Sequence, residues 1–174
     1  MKPRKVSATV LACLLTALSL TTTVGADSDA NPAVQLNVTS MGPREIEDLT
    51  RKKILRDYAA AWKTLATAMD QNRAGVLSEY FTGFAQAEFS KAIAEQNATG
   101  IHRRYADHGH KLEGIFYSQD GGVMQLRDTA QYDEQVFDGD KLLYSQPVTS
   151  TYVVIMTPAA DRWMVRLLQA TPAQ

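Results

Sequence analysis

Tyr152-Val153-Val154-Ile155-Met156, the turn Pro158-Ala159-Ala160-Asp161 and then Arg162-Trp163-Met164-Val165-Arg166 decide how this chain folds. The first run is β-branched and apolar on both faces, with Tyr152, Val154 and Met156 alternating against Val153 and Ile155. That is the pattern of a central strand covered twice, by a helix on one face and by a second subunit on the other. The last run continues it as a neighbouring strand. Upstream, Asp120-Gly121-Gly122 and Asp138-Gly139-Asp140 are turn sequences of the same kind. Four strands are therefore predicted, over 102–118, 123–137, 141–157 and 162–170, joined as successive hairpins. Pro147 lacks a donor, so a bulge or bend is expected near it.

Before the strands the apolar period changes from two to three and four. Ile46, Leu49, Ile54, Tyr58, Ala61, Trp62, Leu65 and Met69 form the stripe of one long helix to about residue 70. Pro43 suits its first turn, and Glu45, Glu47 and Asp48 favour the positive end of its dipole. Its far face, Arg51, Lys52, Arg56 and Lys63, reads as solvated. A short second helix is expected over Val76–Phe81 and a restart at Thr82-Gly83, with Gly100 as a left-handed terminator. Helices first and strands after is an α+β arrangement: N-terminal helices packed in the concave face of a curved four-stranded antiparallel meander.

The 174 residues, 45% apolar and 21% charged, make an ordinary globular composition and exclude disordered and multi-pass membrane classes. Lys2, Arg4 and Lys5 precede an uncharged stretch from Val6 to Ala26, the layout of an export signal, and Val24-Gly25-Ala26 sets small residues for cleavage after Ala26. The organisation expected is a signal peptide over 1–26, an extended lead-in over 27–42 and one domain over 43–172. Cleavage leaves no stable membrane span, a secreted or periplasmic protein, and no cysteine, since Cys13 is the single one. The remaining 15 basic and 19 acidic side chains give a net charge of −4, which argues against nucleic acid as partner.

At the first hairpin the register decides which side chains face the core. A three-residue loop, Asp120 to Gly122, pairs Phe116 with Leu126, Leu112 with Ala130, Gly114 with Asp128 and His110 with Tyr132. A two-residue loop sets Phe116 beside Gln125 and spoils the apolar faces, so the first register is expected. Asp128 then lies on the apolar face, opposite a glycine that leaves space.

The long helix with Tyr58 and Trp62, the shorter helical pair and the meander closing on Arg162-Trp163-Met164-Val165-Arg166 resemble the NTF2-like (cystatin-like) superfamily. Tyr152 to Met156, a turn and Trp163 look like the tail strands of SnoaL-like domains and of chloroplast-division IMS-type domains. Leu77-Ser78-Glu79-Tyr80-Phe81-Thr82-Gly83-Phe84 is also similar to the second helical segment of the IMS type. The resemblance covers residues 44–170 and implies a cone of sheet around the helices. It implies no single function, because the superfamily holds isomerase-like enzymes, transport factors and ligand-free scaffolds.

Asp128 is the best candidate for acid or base chemistry in the cone, with Tyr132 and His110 orienting a substrate. An Asp128 ion-paired beneath a filled core would exclude that role. Tyr58, Trp62, Phe84 and Phe116 are the candidates for lining a ligand pocket. His108 and His110 would share one face of a strand as paired ligands, unless Gly109 bulges between them; no third ligand is specified, so no metal and no cofactor are expected. The function expected is a non-catalytic binding module for a small apolar ligand or a protein partner, as a homodimer. The alternatives are a small SnoaL-like isomerase or hydrolase using Asp128, and an envelope or secretion-assembly component.

Overall fold

Helix α1 (Asp48–Asp70) buries the stripe that its periodicity marks. Ile54, Tyr58, Ala61, Trp62, Leu65 and Met69 are buried in the core, and Arg51, Lys52, Arg56 and Lys63 are exposed. The computed structural model describes residues 33–172, so the export signal and its cleavage after Ala26 lie outside the described residues. The helix starts at Asp48, five residues later than expected. Pro43 instead pairs with Tyr117 in the sheet, and Arg44 binds Gln119 O and the Glu47 carboxylate. Leu49 is consequently exposed. A 3-10 helix (Ala74–Glu79) follows, then α2 (Gly83–Thr99), which ends on Gly100 at φ 71°, a left-handed position that glycine adopts without strain.

The sheet holds six strands. β1 (Val34–Asn37) and β2 (Gly42–Pro43) run parallel to β3 (Ile101–Tyr117), and β3, β4 (Met124–Asp138), β5 (Lys141–Pro158) and β6 (Trp163–Ala170) form the expected antiparallel meander. Helices and the inner sheet face share one core, in which Leu112, Leu126, Val154, Met156 and Val165 meet Trp62, Leu65 and Phe81. The fold is thus α+β, with helices in the concave face of a curved, mixed sheet.

Two features of the lead-in depart from expectation. Residues 34–37 are a strand: Val34 and Leu36 alternate with exposed Gln35 and Asn37, but their partner is the distant β3, in register Val34↔His110. Met41 also packs where a side chain on Gly114 would stand; a Cβ there would lie 2.8 Å from the Met41 sulfur. The space above Gly114 is therefore filled from the lead-in.

The register at the first hairpin is corrected too. Phe116 pairs with Gln125, Gly114 with Leu126, Leu112 with Asp128 and His110 with Ala130. The turn is longer than three residues: Ser118 N donates to Val123 O, and Asp120 accepts from Ser118 Oγ and Gly122 N. This places Tyr117 in the core and sends Phe116 outward. Ile115 is then an extra residue on β3, a bulge that restores the inner face for Leu112 and Asp128. A second bulge falls at His108, before Gly109 at φ 131°.

Around Pro147 the pairing with β4 is continuous, and the bulge lies at Leu143 instead. Thr171 N donates to Thr151 O, so Thr151 turns its backbone groups away from β4. By the two-residue repeat Pro147 does the same, on a stretch of β5 that has no strand beyond it among the described residues. A missing donor is tolerated on such an open edge.

Candidate functional site

Three elements place four polar side chains at one point inside the cone. α1 brings Tyr58, β4 brings Asp128, and the bulged segment of β3 brings Asp107 and His110. The Tyr58 hydroxyl donates to Asp128 Oδ2 at 2.7 Å, and His110 Nδ1 lies 2.8 Å from the same oxygen. His110 Nε2 lies 2.9 Å from Asp107 Oδ2, while Asp107 Oδ1 accepts from Gly109 N at 2.8 Å. The His108 bulge thus turns Asp107 back onto the ring two strand positions on.

Asp128 and the His110 ring have no exposure to solvent. Both ring nitrogens face carboxylate oxygens, an arrangement that a doubly protonated imidazolium satisfies completely. Burial by itself would lower the His110 pKa, but the hydrogen bonds and charges of Asp107 and Asp128 outweigh it and raise the pKa to about 9. Burial, reinforced by the Asp128 charge, pushes the Tyr58 hydroxyl well above its ordinary value, so it stays a donor.

Aromatic rings close over this cluster. The Trp62 ring lies 4.5 Å from that of His110, 5.7 Å from Tyr132 and 5.6 Å from Tyr152. Tyr132 and Tyr152 join their hydroxyls at 2.9 Å, and Tyr105 meets Tyr132 edge to face at 5.3 Å. These three tyrosines are half-buried. Burial raises the hydroxyl pKa of Tyr105 and of Tyr132, and for Tyr132 the bond to Tyr152 adds to it. Two buried polar atoms, Trp62 Nε1 and Asp128 Oδ1, have no hydrogen-bond partner among the described residues.

The structure therefore brings together Asp128, His110, Tyr58 and Trp62, with Tyr132 one ring away. Phe84 and Phe116 do not join them, since they are 57% and 40% exposed. Phe84 follows the α2 start outward, and Phe116 is turned out by the register of the hairpin. Asp107 is a cluster member that the sequence candidates lack; the bulge that turns it inward falls at His108, next to Gly109. His108 turns to the surface and pairs with Asp133 at 3.0 Å, so the two imidazoles do not converge on one point. Among the described residues no group of three His, Cys, Asp or Glu side chains could hold a metal ion.

Three cavities are bordered by described residues, and the smallest has His110 and Thr129, next to Asp128, in its wall. One of about 300 Å3 runs between α1 and the 3-10 helix past Lys63, Thr67, Val76 and Tyr80. Another of about 320 Å3 lies under Val38, Met41 and Ile46, and one of about 120 Å3 opens beside Gly109. None of these three has Asp128 or Trp62 in its wall. Other buried charge is structural: Asp57 accepts from Arg56 Nε and from Trp163 N, both at 2.7 Å, tying α1 to β6.

Comparison with known proteins shows the fold. The intermembrane-space region of the chloroplast protein ARC6 is 16% identical, with a TM-score of 0.61, over 75% of this chain and 100% of that region. A dehydratase candidate of the NTF2-like family from Streptomyces avermitilis is 12% identical, with a TM-score of 0.48, over 71% of this chain and 99% of its own. A cystatin-like protein of unknown function from Nostoc punctiforme is also 12% identical, with a TM-score of 0.43, over 75% and 97%. No family model and no curated protein matches the sequence. No helix among the described residues is long and apolar enough to cross a membrane. The chain shares its fold with that intermembrane-space region.

Proposed function

We propose that this chain is an exported, non-catalytic binding module that holds a small apolar ligand, or an apolar segment of a protein partner, at the tyrosine-lined mouth of its cone. One observation carries the reading: Asp128 is ion-paired to His110, hydrogen-bonded to Tyr58 and wholly buried. A general acid or base must reach the proton that it moves. Here the carboxylate and the imidazole are committed to each other, and the mouth outside them offers the rings of Tyr105, Tyr132 and Tyr152. Such rings supply a large contact area with hydroxyls to orient what rests on them.

Native mass spectrometry of the mature protein, purified gently from its own host, tests this. The expected result is a chain starting at Asp27 with a bound small molecule or partner, retained without chemical change. The Asp128→Asn variant should keep that occupant, because Asp128 lies below the mouth. Turnover of the occupant that disappears in Asp128→Asn, with the variant still folded, would overturn the reading.

A specific observation favours a second reading. Asp128 Oδ1, an acceptor, and Trp62 Nε1, a donor, are both buried and unpaired among the described residues. Buried groups of this kind are costly unless something satisfies them. A substrate with a donor and an acceptor would do so, with Asp128 as acid or base in a SnoaL-like isomerase or hydrolase. The same Asp128→Asn measurement separates the two.

A further inference from the structure

The face of α1 turned away from the core is basic. At about 100° per residue, Lys52, Lys53, Arg56, Ala60, Lys63 and Thr67 fall within one stripe about 100° wide, opposite the buried Ile54, Tyr58 and Leu65. No carboxylate stands in this stripe. Asp57 is buried beside it and holds Arg56 at 2.7 Å, while Lys52, Lys53 and Lys63 make no ion pair among the described residues. The chain after Ala26 has more acidic than basic side chains, so this row of cations runs against its overall charge. The same stripe borders the cavity of about 300 Å3 between α1 and the 3-10 helix. Ala60, Thr64 and Thr67 line it from α1, and Val76 and Tyr80 from the 3-10 helix, with Lys63 on the first side and Glu79 on the second. Arg162 stacks on the Tyr80 ring at 5.2 Å and donates to Glu79 O at 3.3 Å, which holds the second side in place.

We infer that this groove binds an acidic peptide segment of a protein partner, whose carboxylates lie along Lys52, Arg56 and Lys63 and whose apolar side chain enters the hollow between Ala60, Val76 and Tyr80. Three physical points select this occupant. A row of unpaired cations on an otherwise acidic chain attracts and steers an anionic partner. The hollow is concave, so it takes a protruding side chain, which a peptide has and a lipid surface lacks; its volume stands at the lower end of the range for ligand sites, about 300–1,000 Å3. The length also fits, since α1 rises about 16 Å from Lys52 to Lys63, a distance that about five extended residues or three helical turns span.

Glu79 repels carboxylates from the 3-10 side and so turns the acidic groups of the segment towards α1. The inference goes beyond the proposed binding role and does not rest on it, since Trp62 and the tyrosines packed with it belong to the buried side of α1 and this groove to its exposed side.

The test is an array of synthetic peptides of about twelve residues, or three helical turns, each with a central Leu, Phe, Met or Ser between acidic, neutral or basic flanks, probed with the labelled mature chain. Acidic peptides with an apolar centre should bind, and those with neutral or basic flanks or a central Ser should not. By fluorescence anisotropy, Lys63→Glu and Lys52→Glu should each raise the dissociation constant of the best peptide about 5-fold, and Lys111→Glu, exposed on the outer face of the sheet, less than about 2-fold. Ala60→Trp fills the hollow and should abolish binding with an unchanged circular dichroism spectrum. Thr67→Trp should act in the same way from the other end of the groove and covers the case in which Ala60→Trp fails to fold. No acidic peptide bound at physiological salt, equal binding of acidic peptides with a central Ser, binding that Lys63→Glu leaves unchanged, or retention on phosphatidylglycerol vesicles in place of the peptides would overturn the inference.

Discussion

His110 and Asp128 sit diagonally across the β3–β4 pair, His110 opposite Ala130 and Asp128 opposite Leu112, and their side chains meet at 2.8 Å with no exposure to solvent. Diagonal neighbours on one sheet face are within reach of long side chains. Because Asp107 holds the other ring nitrogen, the imidazolium is clamped between two carboxylates and ties the β3 bulge to β4.

Breaking this clamp should be expensive. Asp128→Ala leaves a buried imidazolium with one carboxylate and a Tyr58 hydroxyl without its acceptor. Removing one partner of a buried ion pair costs about 3–5 kcal/mol. Urea denaturation should show a loss of that size, whereas Arg127→Ala, in an exposed pair with Glu113, should lose under about 1 kcal/mol.

Stability should fall as the pH rises past neutrality. The folded His110 pKa, at about 9, lies above the ordinary value of about 6.5 expected in the unfolded chain. The folded state therefore holds this proton more tightly. Its contribution is complete below about pH 6.5, declines from there and is gone above about pH 9, a change on the order of 3 kcal/mol. Urea midpoints measured from pH 6 to 10 check this, and the His110→Gln variant should lose the slope between pH 6.5 and 9.

Gly109→Ala should loosen the N-terminal strand. Gly109 has φ 131°, which an L side chain adopts only with strain, and a Cβ there would lie 2.9 Å from the backbone carbonyl of Ala33. That carbonyl accepts the His110 N–H, so backbone must move rather than a flexible side chain. A loss of about 2 kcal/mol or more is expected. Hydrogen exchange should show the amide of His110 and those of β1 losing protection before the rest of the sheet.

Pro147→Val should create an aggregation-prone edge. It supplies the outward N–H that β5 lacks there, on a stretch with no charge between Leu142 and Pro158 to discourage pairing, and Leu142 and Leu143 on the same stretch are about half exposed. Size-exclusion chromatography over time should show concentration-dependent higher oligomers for the variant. An unchanged profile would mean that the proline does not guard this edge.

Much of the fold is legible locally. The stripe from Ile54 to Met69, the terminator Gly100 and the turn sequences at 120–122, 138–140 and 158–161 each act within a few residues, so periodicity and turn chemistry locate α1, α2 and the four meander strands. The lead-in strand was not legible, because four alternating residues are too few and their partner β3 lies some seventy residues away. Asp128 was legible as an inner-face carboxylate through its alternation with Leu126 and Ala130. His110 was legible beside it, but the Tyr58 hydroxyl bond and the second carboxylate, Asp107, were not.

The difference is one of range. The amino-acid sequence by itself determined helices before strands, the meander order and the inner face of β4, since these follow from spacing along one segment. Only the tertiary structure decided that Phe116 turns out and Tyr117 turns in, that Met41 fills the space over Gly114, and that Asp107, His110, Tyr58 and Asp128 form one cluster. Each depends on bulges at His108 and Ile115. A bulge shifts the pairing by one residue, and its place is set by the competition of non-local side chains for the same core volume.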